Sequence, residues 1–230
     1  MSKGKLISLE SCDGGGKTTQ IEKISNYLEF NNYSHTFFHF PMYGHNQFSD
    51  LIARFLRGEF GNIDEVDPLF VANMYAMDRY KFLNELKAYL KTNDVVLLDR
   101  YVFSNIAYQG AKVESRNKRN ELMDWIFAFE FNFLKLPYPD LNLFLNVPSE
   151  VIKERLNEKR EGDDRTYLNG KEDIHEADLD FQNRVAQCYL DTMSEKLNCK
   201  IVRTTDFSLV LKPEQIFNSY EAEIDEVLKK

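Results

Sequence analysis

A glycine-rich stretch near the N-terminus has the residue types of a phosphate-binding loop. Residues 11–19 read Ser-Cys-Asp-Gly-Gly-Gly-Lys-Thr-Thr and match the pattern G-x-x-x-x-G-K-[ST], except that Ser11 replaces the first glycine. Glycines let backbone N–H groups turn toward phosphate oxygens, and a helix that begins at Lys17 adds its unpaired N–H groups and positive dipole end. Lys17 can bridge the β- and γ-phosphates, while the Thr18 hydroxyl can ligate Mg²⁺. The stretch predicts a nucleoside triphosphate site, the alternative being a glycine-rich turn without a ligand.

A second group of polar residues follows an apolar run in the middle of the chain. Val95 to Leu98 are followed directly by Asp99, Arg100 and Tyr101. Ligands of parallel sheets bind at the carboxyl ends of the strands. We therefore expect Asp99 and Arg100 to lie beside the phosphate-binding loop.

The elements that must position these groups are short apolar runs that alternate with helical patterns. The runs predict strands at 5–10, 33–40, 94–99, 141–147 and 200–204. Apolar spacing and helix-entry signals predict helices at 18–31, 67–90, 103–111, 117–135, 174–198 and 214–229, with another beginning at Pro148. Residues 160–172 are polar and predict an exposed flap. This alternation predicts the α/β class, with a parallel sheet that carries helices on both faces.

Composition limits the partners that this chain can have. The 230 residues carry a formal net charge of −8, which argues against a nucleic-acid polymer held on a broad basic face. Apolar runs stay far below the roughly 20 residues of a membrane helix. The first residues show no secretory signal, and three cysteines lack metal-binding spacing. We therefore expect a cytoplasmic protein with no membrane partner.

The order and spacing of several motifs resemble those of thymidylate kinases. They are the loop, Phe40-Pro41, Arg79, Asp99-Arg100-Tyr101 and Tyr108-Gln109-Gly110, within a resemblance that spans residues 5 to 205. The resemblance implies one P-loop kinase domain over residues 1–230, with a five-stranded parallel sheet and a mobile lid at about 155–173. It implies Mg²⁺-dependent transfer of the γ-phosphoryl group of ATP to dTMP, giving dTDP and ADP for dTTP biosynthesis. It also implies a homodimer.

The resemblance assigns most of the acceptor site to five side chains. Asp13 resembles the carboxylate that bonds the sugar 3′-hydroxyl, and Tyr75 resembles the ring that stacks on the base. Arg79 resembles the arginine that holds the monophosphate. Arg100 resembles a second clamp that bridges donor and acceptor, and Tyr101 matches the ring that crowds the sugar C2′ position. For Tyr75, ordinary core packing is the alternative.

Further positions match the walls of the same acceptor site. Gln109 resembles the residue that reads the pyrimidine edge, and Tyr108 resembles a second wall of the base slot, although core packing explains that ring nearly as well. The remaining matches are Phe40, Pro41, Ser104 and Asn105. Asp99 is expected either to hold the water shell of the magnesium ion or to orient Arg100.

The resemblance also assigns the donor site and the lid. The ATP-binding residues would be Cys12, Asp13, Gly14, Gly15, Gly16, Lys17, Thr18, Thr19 and Arg155. Some family members carry a catalytic arginine in the loop, where this chain has Gly14, so the arginine is expected from the lid. Arg155, Arg160 and Arg165 are the candidates, with Arg160 and Arg165 expected to join Lys17, Arg100 and Asp13 in catalysis.

The sequence also departs from the family pattern. Many members carry an arginine after the Phe-Pro pair, where this chain has Met42-Tyr43-Gly44, and residues 112–139 and 166–175 are longer than expected. Two alternatives therefore stay open. One is a kinase of the same fold that acts on another nucleoside monophosphate or on a deoxynucleoside. The other is a nucleotide-dependent switch without transferase activity.

Overall fold

A parallel five-stranded sheet forms the centre of the molecule. The computed structural model describes residues 4–157, 163–170, 173–176, 178–194, 198–207 and 209–229. The strands lie in the order β2-β3-β1-β4-β5, all parallel. Their bounds are β1 (Lys5–Ser11), β2 (His35–His39), β3 (Val95–Asp99), β4 (Leu141–Asn146) and β5 (Cys199–Arg203). The predicted fold class is confirmed.

The apolar runs form strands because the middle of the sheet is covered on both faces. Val95 to Leu98 of β3 are completely buried, as continuous apolar runs of parallel strands usually are. The register pairs Leu9 of β1 and His39 of β2 with Asp99. The carboxyl ends of β1, β2 and β3 therefore meet at one edge of the sheet.

Helices lie around the sheet and follow the predicted order, with different boundaries. They are α1 (Lys17–Phe30), α2 (Gln47–Leu56), α3 (Pro68–Lys81), α4 (Leu83–Thr92), α5 (Val102–Gly110), α6 (Arg116–Phe127), α7 (Ser149–Asn157), α8 (Leu179–Met193), α9 (Pro213–Asn218) and α10 (Glu221–Leu228). A π-helical turn (Ala128–Phe133) continues α6, and a 3₁₀ turn (Asp163–Leu168) follows α7. Two short strands, β6 (Thr205–Asp206) and β7 (Leu209–Val210), form a hairpin. None of the helices in the described ranges is long and apolar enough to cross a lipid bilayer.

Two predicted long helices are each broken into a pair. The helix predicted over 67–90 is α3 and α4, which meet at Phe82, a ring that packs against Phe38 and Phe40 beneath the sheet. The helix predicted over 214–229 is α9 and α10, which meet at Tyr220, whose buried hydroxyl donates to Gln20. In both cases a tertiary contact of one aromatic residue sets the break.

Much of the aromatic content lies in or beside the segment that follows α6. Phe127 and Phe131 pack together and against Tyr138. On the outer side, Trp125, Phe129 and Phe133 stack in a row, with ring centroids 4.8 and 5.5 Å apart. We call this row the aromatic ladder.

Candidate active site

A cavity of about 700 Å³ opens at the carboxyl edge of the sheet, where β1, β2 and β3 end. It brings together most of the side chains predicted from the sequence. Its lining includes Asp13, Gly14, Gly15, Gly16, Lys17, Thr18, Thr19, Phe40, Pro41, Tyr75, Arg79, Asp99, Arg100, Ser104, Asn105, Tyr108, Gln109 and Arg155. Loop, clamp and base-slot candidates therefore share one space.

Four predicted residues are not placed in this cavity. Cys12 is buried below the loop, where burial raises the pKa of its thiol to about 12. Tyr101 is completely buried in the core, donates to the carbonyl of Pro137 and is not among the residues that line the cavity. Arg160 lies outside the described residues, and so does the side chain of Arg165.

The phosphate-binding loop has a conformation that requires glycine at particular positions. Gly16, the residue before α1, has φ +84°, a left-handed value that glycine adopts without strain. A Cβ on Gly15 would lie 2.4 Å from the hydroxyl of Ser11, so no side chain fits there. The three glycines thus leave the backbone N–H groups and the α1 N-terminus accessible from the cavity.

Ser11 replaces a glycine of the motif without distorting the loop. It is the last residue of β1, completely buried, and its φ is not in the left-handed region. Its hydroxyl donates to the carbonyl of Cys12 at 2.7 Å and lies 3.2 Å from Nζ of Lys17. Ser11 therefore helps to hold the lysine, whose pKa is lowered by burial and by the charge of Arg100.

Arg100 sits at the junction of β3 and α5 in a strained conformation. Its φ is +65°, a region that residues other than glycine seldom adopt. Four contacts hold the guanidinium: Nη1 donates to the Ser11 carbonyl at 2.9 Å and to Ser104 Oγ at 3.2 Å, while Nη2 pairs with Asp13 and donates to Tyr108 at 3.2 Å. Strain of this kind persists where surrounding contacts fix the residue, which is common at functional sites.

Asp13 is the centre of a hydrogen-bond network between the loop and α8. Burial opposes its ionisation, but the charges of Arg100 and Lys17 prevail and hold its pKa at about 2. Its Oδ2 accepts from Tyr108 at 2.8 Å and from Gln182 Nε2 at 3.0 Å, and its backbone N–H donates to Gln182 Oε1. Gln182 was missed by sequence reasoning, because only the tertiary fold brings α8 to the loop.

Arg79, which the resemblance assigns to the monophosphate, already has a carboxylate partner in the structure. Its side chain is 2% exposed and pairs with Glu130, which is 0% exposed, through two bonds of 2.6 Å. The pair is bidentate, so Glu130 already neutralises the guanidinium. Glu130 was also missed, although a lone carboxylate within the aromatic run 125–133 is a usable signal for a buried ion pair.

A histidine and an aspartate close the side of the cavity at the ends of β2 and β3. Nδ1 of His39 lies 3.1 Å from Oδ2 of Asp99, and Nζ of Lys17 lies 3.8 Å from Oδ1. Burial opposes ionisation of Asp99, but Lys17 and His39 outweigh it and hold its pKa at about 2. Oδ1 is buried and accepts no hydrogen bond from the described residues. It is a hard anionic oxygen that suits Mg²⁺.

Part of the predicted exposed flap packs against the segment after Pro41. Tyr167 stacks on Tyr43 with centroids 4.0 Å apart and donates to Asp173 at 2.9 Å, and Leu168 is buried. Burial and the charge of Asp13 raise the pKa of Asp173 to about 7. Tyr43, Tyr167 and Asp173 all line the cavity. After Pro41, where many family members carry an arginine, this structure has an aromatic wall formed by Tyr43 and Tyr167.

The cavity also contains buried amide groups without partners. Gln109 is 0% exposed, and neither atom of its amide bonds to a described residue. Oδ1 of Asn105 is also buried and accepts no hydrogen bond from a described residue. A buried polar group without a hydrogen bond costs free energy, so such groups in a cavity indicate a polar ligand. On the loop side, Nη1 of Arg155 donates to the carbonyl of Gly14 at 3.1 Å.

Comparisons with known proteins place this chain in one family. Residues 9–212 match the family model of thymidylate kinase. Curated thymidylate kinases from Mycobacterium tuberculosis and Pediococcus pentosaceus are each 32% identical, covering 83% and 86% of this chain and 86% and 88% of their own. A solved thymidylate kinase from Candida albicans, described as having broad substrate specificity, superposes with a TM-score of 0.73 at 22% identity, over 98% of this chain and 94% of its own.

Proposed function

The chain belongs to the thymidylate kinase family, and on this basis we propose that it transfers the γ-phosphoryl group of ATP to dTMP. The products are dTDP and ADP, and the reaction serves the synthesis of dTTP. The observation that carries the proposal is one cavity in which a phosphate-binding loop faces the Arg100–Asp13 pair and a slot of unpartnered amides. We also propose one kinase domain over residues 1–230, with a lid at about 155–173, and a cytoplasmic location.

The donor site is proposed at the loop. The N–H groups of Gly14, Gly16 and Lys17 would bind the phosphates of ATP, while that of Gly15 donates to the Cys12 carbonyl within the loop. Lys17 would bridge the β- and γ-phosphates. Thr18 and Asp99 are the residues that would hold Mg²⁺, because both line the cavity, Thr18 is exposed, and Oδ1 of Asp99 accepts no hydrogen bond from the described residues. When bound, Mg²⁺ supplies positive charge to the transferring phosphoryl group.

The acceptor phosphate is assigned to Arg100. Of the two carboxylate-paired arginines in the cavity, Arg100 is the more accessible, because its side chain is 14% exposed and that of Arg79 is 2% exposed. Asp13 would accept from the sugar 3′-hydroxyl, since Arg100 is the one described partner of its Oδ1 and a carboxylate oxygen accepts two bonds. Ser104, Phe40 and Pro41 complete the walls around this region of the cavity.

The base slot is assigned to the deeper end of the cavity. Tyr75 and Tyr108 would flank the ring, while Gln109 and Asn105 would bond its polar edge. Arg79 moves in this proposal from the phosphate to the base, because Glu130 already neutralises its charge. Tyr101 has no contact with substrate here, since its ring lies in the core.

Catalysis follows from positioning and charge. The acceptor is an ionised phosphate, so no general base is required. Lys17 and Arg100 stabilise the charge of the transferred group, and Arg155, Arg160 and Arg165 are the proposed lid contributors. Of these, Arg155 already reaches the loop through its bond to Gly14. A closed lid excludes water and so limits ATP hydrolysis.

An acceptor panel tests the function. Purified protein is assayed with ATP and Mg²⁺ against dTMP, dUMP, dCMP, dGMP and thymidine, with Lys17→Ala as the inactive control. We expect dTMP to give the highest kcat/KM. Phosphorylation of thymidine but not dTMP would indicate a nucleoside kinase. Slow ATP hydrolysis that no acceptor accelerates would indicate a nucleotide-dependent switch.

We further propose a homodimer formed through the aromatic ladder. Phe133 is 73% exposed at its end, and Phe70 of α3 is 55% exposed. Phe133 ends the π-helical turn after α6, and both α3 and α6 pack against α5. Contiguous exposed apolar surface is typical of an interface. Sedimentation should give a dimer for the wild type and a monomer for Phe133→Glu; a monomeric wild type at micromolar concentration would contradict the proposal.

A further inference from the structure

Glu130 is a buried carboxylate to which the proposed reaction assigns no role. It lies on the π-helical turn Ala128–Phe133 and is 0% exposed. Single π-helical turns occur often at functional sites. On this turn Phe129 and Phe133 belong to the outer ladder, while Glu130 reaches the interior next to the base slot.

The carboxylate organises two side chains of that slot at once. Its Oε2 accepts from Nε of Arg79 at 2.6 Å. Its Oε1 accepts from Nη2 of Arg79 at 2.6 Å and from Nδ2 of Asn105 at 2.8 Å. An ionised carboxylate can only accept hydrogen bonds, so both neighbours must turn donors toward it.

This constraint fixes the orientation of the Asn105 amide. Its Nδ2 donates both to Glu130 and to the carbonyl of Ala72 at 3.0 Å, which occupies both of its N–H groups. The other end, Oδ1, is buried without a partner in the described part of the chain, and Asn105 lines the cavity. The slot therefore presents an acceptor at this point.

An acceptor at this position distinguishes two kinds of pyrimidine. Thymine carries an N3–H donor beside a C4 carbonyl, whereas cytosine carries an unprotonated N3 beside an amino group. Oδ1 of Asn105 can accept from N3–H but is repelled by a bare N3. An arginine whose Nε and Nη2 are already bound by Glu130 has its other terminal nitrogen, Nη1, outside that pair, and an N–H donor suits the C4 carbonyl.

We propose that Glu130 is a positioning residue that fixes the hydrogen-bond polarity of the base slot, and thereby its preference for a pyrimidine with N3–H and a C4 carbonyl. It acts by holding the Asn105 amide with its oxygen toward the base and by holding the Arg79 guanidinium in place. The inference rests on the proposed function of this cavity as the dTMP site.

Glu130→Gln is the direct test. A glutamine in this position must turn its NH₂ toward Arg79 or Asn105, which places donor against donor and favours rotation of the Asn105 amide. The substrates are dTMP and 5-methyl-dCMP, which share sugar, phosphate and methyl group and differ only at N3 and C4. The matched control is Glu121→Gln, an exposed carboxylate on α6.

The expected result is a loss of discrimination in KM. The ratio of kcat/KM for dTMP to that for 5-methyl-dCMP should fall about tenfold or more in Glu130→Gln, the range in which one bidentate base contact discriminates. The ratio should stay unchanged in Glu121→Gln. In an Asn105→Ala background, Glu130→Gln should lower the ratio clearly less than in the wild-type background, because the part of its effect that passes through Asn105 is already lost.

Three results would overturn the inference. The first is a dTMP to 5-methyl-dCMP ratio of kcat/KM in folded Glu130→Gln that stays within twofold of the wild-type ratio. The second is a fall in that ratio, on adding Glu130→Gln to Asn105→Ala, as large as the fall in the wild-type background. If Glu130→Gln does not fold, Glu130→Asp replaces it in the test, because it keeps the charge beside Arg79 but moves the carboxylate away from Asn105. The third result is a kcat/KM ratio in Glu130→Asp that equals the wild-type ratio. A wild type that does not phosphorylate dTMP would overturn the proposed function, and this inference with it.

Discussion

Arg79 and Arg100 both line the cavity and both pair with a carboxylate, yet their surroundings differ. Arg79 and Glu130 are 2% and 0% exposed and form a closed bidentate pair. Arg100 and Asp13 are 14% and 19% exposed, and the Asp13 carboxylate is shared with Tyr108 and Gln182. Lys17 lies on the same side of the cavity as Arg100 and adds a further positive charge.

This contrast shows that a guanidinium in the cavity wall is not always available to bind an anion. A guanidinium that is fully neutralised in the protein interior offers a phosphate little net attraction, but it remains a rigid hydrogen-bond donor for a neutral edge. A guanidinium that shares its carboxylate and faces the cavity can bind a dianion. Under the proposed function, the two arginines would therefore bind different parts of dTMP.

The largest effect is expected at Arg100. Arg100→Met removes the charge that faces the acceptor phosphate, so kcat/KM for dTMP should fall by about 10³ or more. Steady-state kinetics at saturating ATP measure it, with Arg116→Ala, an exposed arginine on α6, as control. A fall of less than tenfold would place the acceptor phosphate elsewhere.

The next effect concerns stability and separates the two pairs. Arg79→Met leaves Glu130 buried without its counter-charge and should lower the free energy of unfolding by about 3–5 kcal/mol. The double variant Arg79→Met/Glu130→Met should recover most of this loss, because no buried charge remains. Urea unfolding of both variants and of Asp13→Asn is the measurement. If Asp13→Asn lowered the free energy of unfolding as much as Arg79→Met does, the two ion pairs would not differ in burial as described.

The smallest effect concerns Lys112, a cation that has no hydrogen-bond partner among the described residues. Its Nζ is buried 4.5 Å from the centroid of the Phe55 ring, and burial lowers its pKa to about 7, with Asp64 opposing the shift. Between about pH 7 and 10 the unfolded chain binds the proton more readily, so this group makes stability rise with pH. Lys112→Met should stabilise the protein by about 1 kcal/mol at pH 6 and flatten that rise. Urea unfolding midpoints are measured for both proteins across this pH range. A midpoint that rises with pH as steeply in Lys112→Met as in the wild type would contradict this explanation.

The sheet and the phosphate-binding loop could be predicted because their signals are local. Four-residue apolar runs and a nine-residue motif need no tertiary information. The breaks at Phe82 and Tyr220 could not be predicted, since each depends on where one aromatic side chain packs.

The site shows the same limit. The motifs identified the arginines, but Glu130 lies 51 residues from Arg79 and Gln182 lies 169 from Asp13. Whether an arginine is neutralised depends on such distant partners, so the sequence alone could not predict that Arg79 pairs with Glu130. The wall of Tyr43 and Tyr167 was missed for the same reason, because the two rings meet only in the fold.

Calorimetric titration with dTMP and with thymidine tests most directly whether Arg100 binds the phosphate and Arg79 binds the base. The two ligands differ only in the phosphate. Wild type should bind dTMP far more tightly than thymidine. Arg100→Met should lose that difference while its Kd for thymidine stays nearly unchanged, and Arg79→Met/Glu130→Met should weaken both ligands by a similar factor. A double variant that loses the difference, together with an Arg100→Met that keeps it, would contradict the assignment.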